Sequence, residues 1–164
     1  MVNTFLPALL LFVRCGGTVA EHLNVYDEPI QTCSQDGTAL TGWTRSGSCV
    51  DHDDDSGSHH ICIDLSSTAS AGNFCTVTGQ SDWCSSTDMP CHEDPNSGEC
   101  AIEHWCVCQW AFESYLKAAG GCGSIQDIQC EAINKAALDA YREDEERHAE
   151  ALACLVERCG LQVS

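Results

Sequence analysis

Positive charge is what this chain has least of. Seven Lys and Arg stand against 25 Asp and Glu in 164 residues, a formal net charge of −18. Between Glu21 and Leu116 the only Lys or Arg is Arg45. A surface this acidic repels phosphate backbones and anionic headgroups, so nucleic acid is excluded as a partner. Beyond the first twenty residues no apolar run approaches the roughly 20 residues that span a bilayer, so no membrane span is expected. Several motifs are missing too. No Cys-x-x-Cys occurs, which removes the common zinc-ribbon and thioredoxin patterns. There is no G-x-S-x-G elbow and no phosphate-cradling glycine loop. Such a charge balance favours a cation or a cationic protein partner, or serves only as a solvated coat.

Cysteine, by contrast, is abundant, and the N-terminus accounts for it. Phe5 to Val13 is an apolar run, and Thr18-Val19-Ala20 offers small residues where a signal peptidase cuts. These features predict a signal peptide over residues 1–20, cleaved before Glu21, and a secreted domain over residues 21–164. Of fourteen cysteines, Cys15 leaves with the leader and thirteen remain. That density belongs to oxidising compartments. An odd number allows at most six bridges and leaves one sulfur, either free or linking two chains in a disulfide-bonded dimer. The pairing itself is open. The mature length suits one domain with a core of its own, so bridges add to a fold instead of replacing one.

Three regions follow one another. Residues 23–64 are turn-rich, with Asp36-Gly37 and Ser46-Gly47 as turn dipeptides and Thr41 to Thr44 and His60 to Ile63 reading as strands. Residues 65–99 are rich in Ser, Thr, Asp and Gly, and Cys75, Cys84 and Cys91 are expected to staple them. The third region is helical: Trp105, Cys108, Phe112, Tyr115, Leu116 and Ala119 recur at 3.6 spacing and stop at Gly120-Gly121. A second stripe, Ile125 to Ala140, is read as a helix capped by Ser124. One helix from there to Cys159 would be about 54 Å long, too long for the domain, so a break is expected between Arg142 and Glu146. Strands first and helices after predict an α+β fold: a small, mostly antiparallel sheet with two or three helices packed on it, held by disulfides.

The densest polar cluster is Asp51-His52-Asp53-Asp54-Asp55-Ser56-Gly57-Ser58-His59-His60. Alternate carboxylates suit calcium, and Asp51, Asp53, Asp55, His59 and His60 form the candidate metal set, for calcium or a transition metal ion. The EF-hand pattern fails, with Ser56 at position six and Cys62 at position twelve. A solvated acidic loop is the plainer reading. His92 and His104 lie near Cys91, Cys100 and Cys106, but their spacing fits no metal template. Cys106-x-Cys108 would sit about 200° apart on a helix and on one side of an extended segment; the secreted setting favours a bridge from each to a different partner.

Motifs in order along the chain carry a likeness. Asn24-Val25, Cys33-Ser34, Thr41-Gly42-Trp43-Thr44-Arg45-Ser46-Gly47-Ser48-Cys49, Gly57-Ser58-His59-His60-Ile61-Cys62 and Trp105-Cys106-Val107-Cys108 resemble a family of small, mostly bacterial proteins catalogued as a domain of unknown function, number twenty-two thirty-seven. The family reads N-V-L-G, C-S, T-G-F-Y-R-D-G-x-C, G-x-H-x-V-C and W-C-L-C. The resemblance spans about Leu23 to Tyr141. It implies one α+β domain in which Cys33, Cys49, His59, Cys62, Trp105, Cys106 and Cys108 form the shared core or site. The family's Thr-His in the late helix falls on Ile133-Asn134 here. Cys75, Cys84, Cys91, Cys100, Cys122, Cys130, Cys154 and Cys159 have no counterpart and read as adaptation to an oxidising compartment.

Three functional expectations result. The absence of catalytic motifs favours a non-catalytic structural or interaction module. A cation-binding protein using Asp51 to His60 is the second. A thiol- or metal-dependent enzyme is the third; its thiol form needs an exposed, reactive odd cysteine.

Overall fold

A computed structural model describes residues 22–66, 68 and 72–162. The expected leader, residues 1–20, lies outside the described residues. At the centre, β1 (Ile61–Asp64) and β2 (His104–Val107) pair antiparallel. Ile61 lies opposite Val107, Cys62 opposite Cys106 and Ile63 opposite Trp105. Alternation along each strand sorts the side chains by face. Ile61, Ile63, Trp105 and Val107 enter the main apolar core. Cys62 and Cys106 enter a smaller cluster with Cys33, Cys49 and Ala132. Residues 127–129 extend the sheet irregularly: Asp64 N–H donates to Asp127 O at 2.9 Å, and Gln129 N–H to Cys62 O at 3.0 Å.

Four helices complete the domain: α1 (Phe74–Val77), α2 (Gln109–Ala119), α3 (Lys135–Glu143) and α4 (Glu145–Cys159). Phe112, Tyr115 and Leu116 from α2 meet Leu138 and Tyr141 from α3 and Ala151 and Leu155 from α4, all at most 1% exposed. Each large side chain so buried stabilises the fold by about 1.5–3 kcal/mol. Gly120 ends α2 with φ 92°, a left-handed conformation that a Cβ would strain. The expected break falls at Asp144, which leaves helical geometry and accepts the Arg147 N–H to begin α4. The architecture is α+β, as expected.

Six disulfides link Cys33–Cys62, Cys49–Cys106, Cys75–Cys84, Cys91–Cys100, Cys122–Cys154 and Cys130–Cys159. Among the described residues Cys108 alone keeps a free thiol. The expectation of a bridge at both Cys106 and Cys108 is therefore corrected: only Cys106 is bridged.

Three local readings are also corrected. Trp105 lies in β2, because its backbone pairs with β1 before the helix begins at Gln109. Thr41 to Thr44 is a turn, closed by Arg45 N–H donating to Gly42 O at 3.0 Å with Gly42 at φ 91°. The helix read from Ser124 starts at Lys135, where the Asn134 side chain accepts the Ala136 N–H at 3.0 Å. Before it, Ile128 forms a β-bridge with Ile63, and Cys122 and Cys130 are tied to α4. Pairing and tethering there override helix propensity.

Candidate thiol site

Asp55 begins the site. Its side chain is fully buried, and its two oxygens accept the Gly57 N–H at 3.1 Å and the His59 N–H at 2.7 Å. The loop thus winds around one carboxylate. Asp55 Oδ1 also meets His59 Nδ1 at 2.7 Å. Burial raises the carboxyl's proton affinity, but the bonds from the His59 backbone and ring and from Gly57 outweigh it and hold Asp55 below its ordinary value. An ionised carboxylate only accepts hydrogen bonds, so Nδ1 carries a proton, and in the neutral imidazole Nε2 has the lone pair.

The imidazole is fixed on its faces as well. Trp43 stacks on it at 5.5 Å with 13° between planes, and the Trp43 indole N–H is itself tied to Asp54 at 2.9 Å. On the Gly57 side, an added Cβ would lie 2.5 Å from the His59 ring. Only glycine fits there. The ring stays 30% exposed, and Nε2 has no hydrogen-bond partner among the described residues.

Cys108 arrives from the other strand. It follows β2 directly and is the N-cap residue of α2, half-buried, with no side-chain capping bond. The loop of His59 is docked onto this helix start at two points: Gln109 N–H donates to Ser58 O at 3.0 Å, and Gln109 Oε1 meets His60 Nδ1 at 2.8 Å. Tyr141 of α3 fixes the same residue by donating to Gln109 O at 2.6 Å. His59 and Cys108 consequently line one cavity of about 190 Å³, walled by Trp83, Trp105, Phe74 and Ala111. The first N–H groups of a helix have no acceptor inside it, so the start of α2 presents donors beside the thiol.

The other predicted residues take separate roles. His60 is 3% exposed and pairs with Asp51 at 3.0 Å. His52 pairs with Asp54 at 2.8 Å, and Asp53 is exposed. Asp51, Asp53, Asp55, His59 and His60 thus lie close in sequence, but Asp55 pairs with His59, Asp51 with His60, and Asp53 with neither imidazole. Among the described residues, the one set with three ligand atoms of His, Cys, Asp or Glu within 4.8 Å of one another is Cys33, Cys49 and Cys106, all in disulfides. Sequence reasoning missed two contributors, Gly57 and Trp83; Gly57 stood inside the G-x-H motif, whereas nothing in the sequence marked Trp83.

A larger cavity, about 680 Å³, lies between α2 and the α3–α4 corner, beside Trp110, Lys117 and Arg147. It too contains a carboxylate–imidazole pair, Glu113 with His148 Nδ1 at 2.5 Å, but Lys117 binds the same carboxylate. Burial pushes Glu113 up, and its bonds to Lys117 and His148 more than offset it. That pair neutralises a buried charge and faces no thiol.

The cysteines divide in a way that bears on the thiol. Cys33, Cys49, Cys62 and Cys106, which stand in the motifs that carry the resemblance, pair among themselves, and so do the eight cysteines outside those motifs. Cys108, also inside those motifs, is the one left over among the described residues. The sequence model of a family described as an uncharacterized protein conserved in bacteria (DUF2237) matches residues 23–149. No curated protein matches the chain.

Proposed function

The chain belongs to the DUF2237 family, and from that premise we propose that it is an exported protein whose work is done by a thiol: Cys108 attacks an electrophile, His59 takes the thiol proton at Nε2, and Asp55 holds the imidazole in the required tautomer. One observation carries this reading. The one free thiol among the described residues and the Asp-backed imidazole open onto the same cavity. A cysteine and a base that a third group orients are the parts nucleophilic catalysis uses, and the hydrogen bond between them commonly tightens only when substrate is bound. With Gln109 N–H taken by Ser58 O, the N–H groups of Trp110 and Ala111 are the first-turn donors of α2 that would stabilise negative charge developing on a carbonyl oxygen. Export, with cleavage before Glu21, is supported by six disulfides, which cytosolic reductants would oppose.

Alkylation of the native protein by iodoacetamide tests the reading. Cys108 is expected to label stoichiometrically, and His59→Asn to slow labelling by roughly a hundredfold, the size of one general base. A native protein that refuses the reagent supports the structural or interaction module instead. A reducible dimer on a gel assigns Cys108 to an interchain bridge. The acidic loop offers a competing role, since a calcium or transition metal ion on Asp51, Asp53, Asp55, His59 or His60 would have to break the existing His–Asp pairs. Calorimetric heat with calcium, zinc or copper, accompanied by loss of Cys108 labelling, favours the cation-binding reading.

A further inference from the structure

Two more cavities, of about 210 and 340 Å³, share the Trp105 wall with the thiol cavity, and Arg45 lines both. His59 and Cys106 line the smaller one as well as the thiol cavity, so the three adjoin. Arg45 is peculiar in this protein. It is the only Lys or Arg in a stretch of nearly one hundred residues, inside a chain with 25 carboxylates. Yet it pairs with no carboxylate among the described residues. Its guanidinium is held 4.9 Å over the Trp105 ring, with Nη1 donating to Gly42 O at 3.0 Å. Its backbone sits at φ 55°, a conformation that L side chains seldom adopt. Such a residue is placed at some cost and then left without an acidic partner.

Resting on the thiol-site reading, we infer that the substrate is a small monoanion with a carboxylate and a planar or apolar body: the carboxylate on Arg45, the body along Trp105 and Trp83, the electrophilic carbon at Cys108. The guanidinium fork matches a carboxylate's two oxygens. The −18 net charge selects against polyanions, whose long-range repulsion grows with their charge, while one guanidinium suffices for a single negative charge. The tryptophan wall excludes water from the apolar part. A free organic acid and a peptide C-terminus share this chemistry.

4-(Bromomethyl)benzoate and 4-(bromomethyl)benzamide share a planar body and differ only in that carboxylate. With either, the Cys108 sulfur bonds the benzylic carbon, bromide leaves, and the thiol proton passes to His59. The benzoate-to-benzamide rate ratio at Cys108 is expected to exceed that of free glutathione, despite the acidic surface. Arg45→Met keeps the stem over Trp105 and should lower the ratio about tenfold, the loss of one charge-assisted hydrogen bond. A ratio unchanged by Arg45→Met overturns the inference. Protection of Cys108 by phenylacetate identifies a free acid, and protection by a tripeptide ending in Phe, but not by its amide, identifies a peptide end. Equal protection by phenylacetamide overturns the carboxylate assignment. If neither reagent labels Cys108, the thiol reading fails by itself. Tryptophan fluorescence of Cys108→Ser titrated with phenylacetate then decides the anion site: a response abolished by Arg45→Met upholds it, and no response sinks it.

Discussion

The sheet end of the molecule and its periphery use cysteine differently. On the sheet, Cys33–Cys62 and Cys49–Cys106 converge on paired strands, and Cys62 and Cys106 face each other across the ladder. They tie segments 29 and 57 residues apart to the frame that presents Cys108 and His59. At the periphery, Cys75–Cys84 and Cys91–Cys100 each close a separation of only nine residues, and Cys122–Cys154 and Cys130–Cys159 fasten α4. The first group matches the family motifs and leaves one thiol over. The second is even-numbered and self-contained. Among the described residues, the six bridges leave the thiol beside the His59 loop unconsumed.

That contrast can be broken by substitution. Cys108→Ser should abolish alkylation altogether while shifting the melting temperature little, since the residue makes no bridge; a large loss of stability would recast Cys108 as a packing residue. Replacing Cys49 and Cys106 by Ala should cost about 4 kcal/mol in denaturant unfolding, the loop-closure entropy of a 57-residue separation. Replacing Cys91 and Cys100 should cost about 3 kcal/mol, for a nine-residue one, and leave Cys108 labelling unchanged. If the two pairs cost the same, or if the peripheral pair alters labelling, the division between site frame and peripheral staples fails.

A smaller effect is expected at Asp55. Its folded-state proton affinity lies below the ordinary value of 3.8, so its charge contributes stability that is fully present above that pH and is lost as pH falls through the lower folded value. Asp55→Asn should destabilise the neutral protein by about 1–2 kcal/mol, through lost charged hydrogen bonds, and flatten the acid limb below pH 4. Melting curves from pH 2 to 7 check this. A steeper acid limb in the variant would contradict the assignment.

Much of this was legible in the sequence, for identifiable reasons. The α+β class followed from turn-rich residues preceding a 3.6-spaced stripe, and the break at Asp144 followed from length alone. The odd sulfur was countable. Its identity was not, because pairing depends on which Cα atoms approach, and Cys106-x-Cys108 reads alike as two bridges or one. The segment from Ser124 was misread because Ile125 and Ile128 fit a helical spacing, whereas Ile128 in fact pairs with Ile63. Asp55 and His59 were named together as metal ligands. Their direct pairing depends on the turn that Gly57 permits, and only three-dimensional placement distinguishes it from the adjacent pairing of His60 with Asp51.

The central claim is that His59, held by Asp55, activates Cys108. The pH–rate profile of Cys108 carbamidomethylation, followed by peptide mass spectrometry in the native protein and in His59→Asn, tests it most directly. The account predicts faster labelling in the native protein, with an inflection in its profile that the variant lacks. Superimposable profiles, rising only in the range of an ordinary thiol, would contradict it.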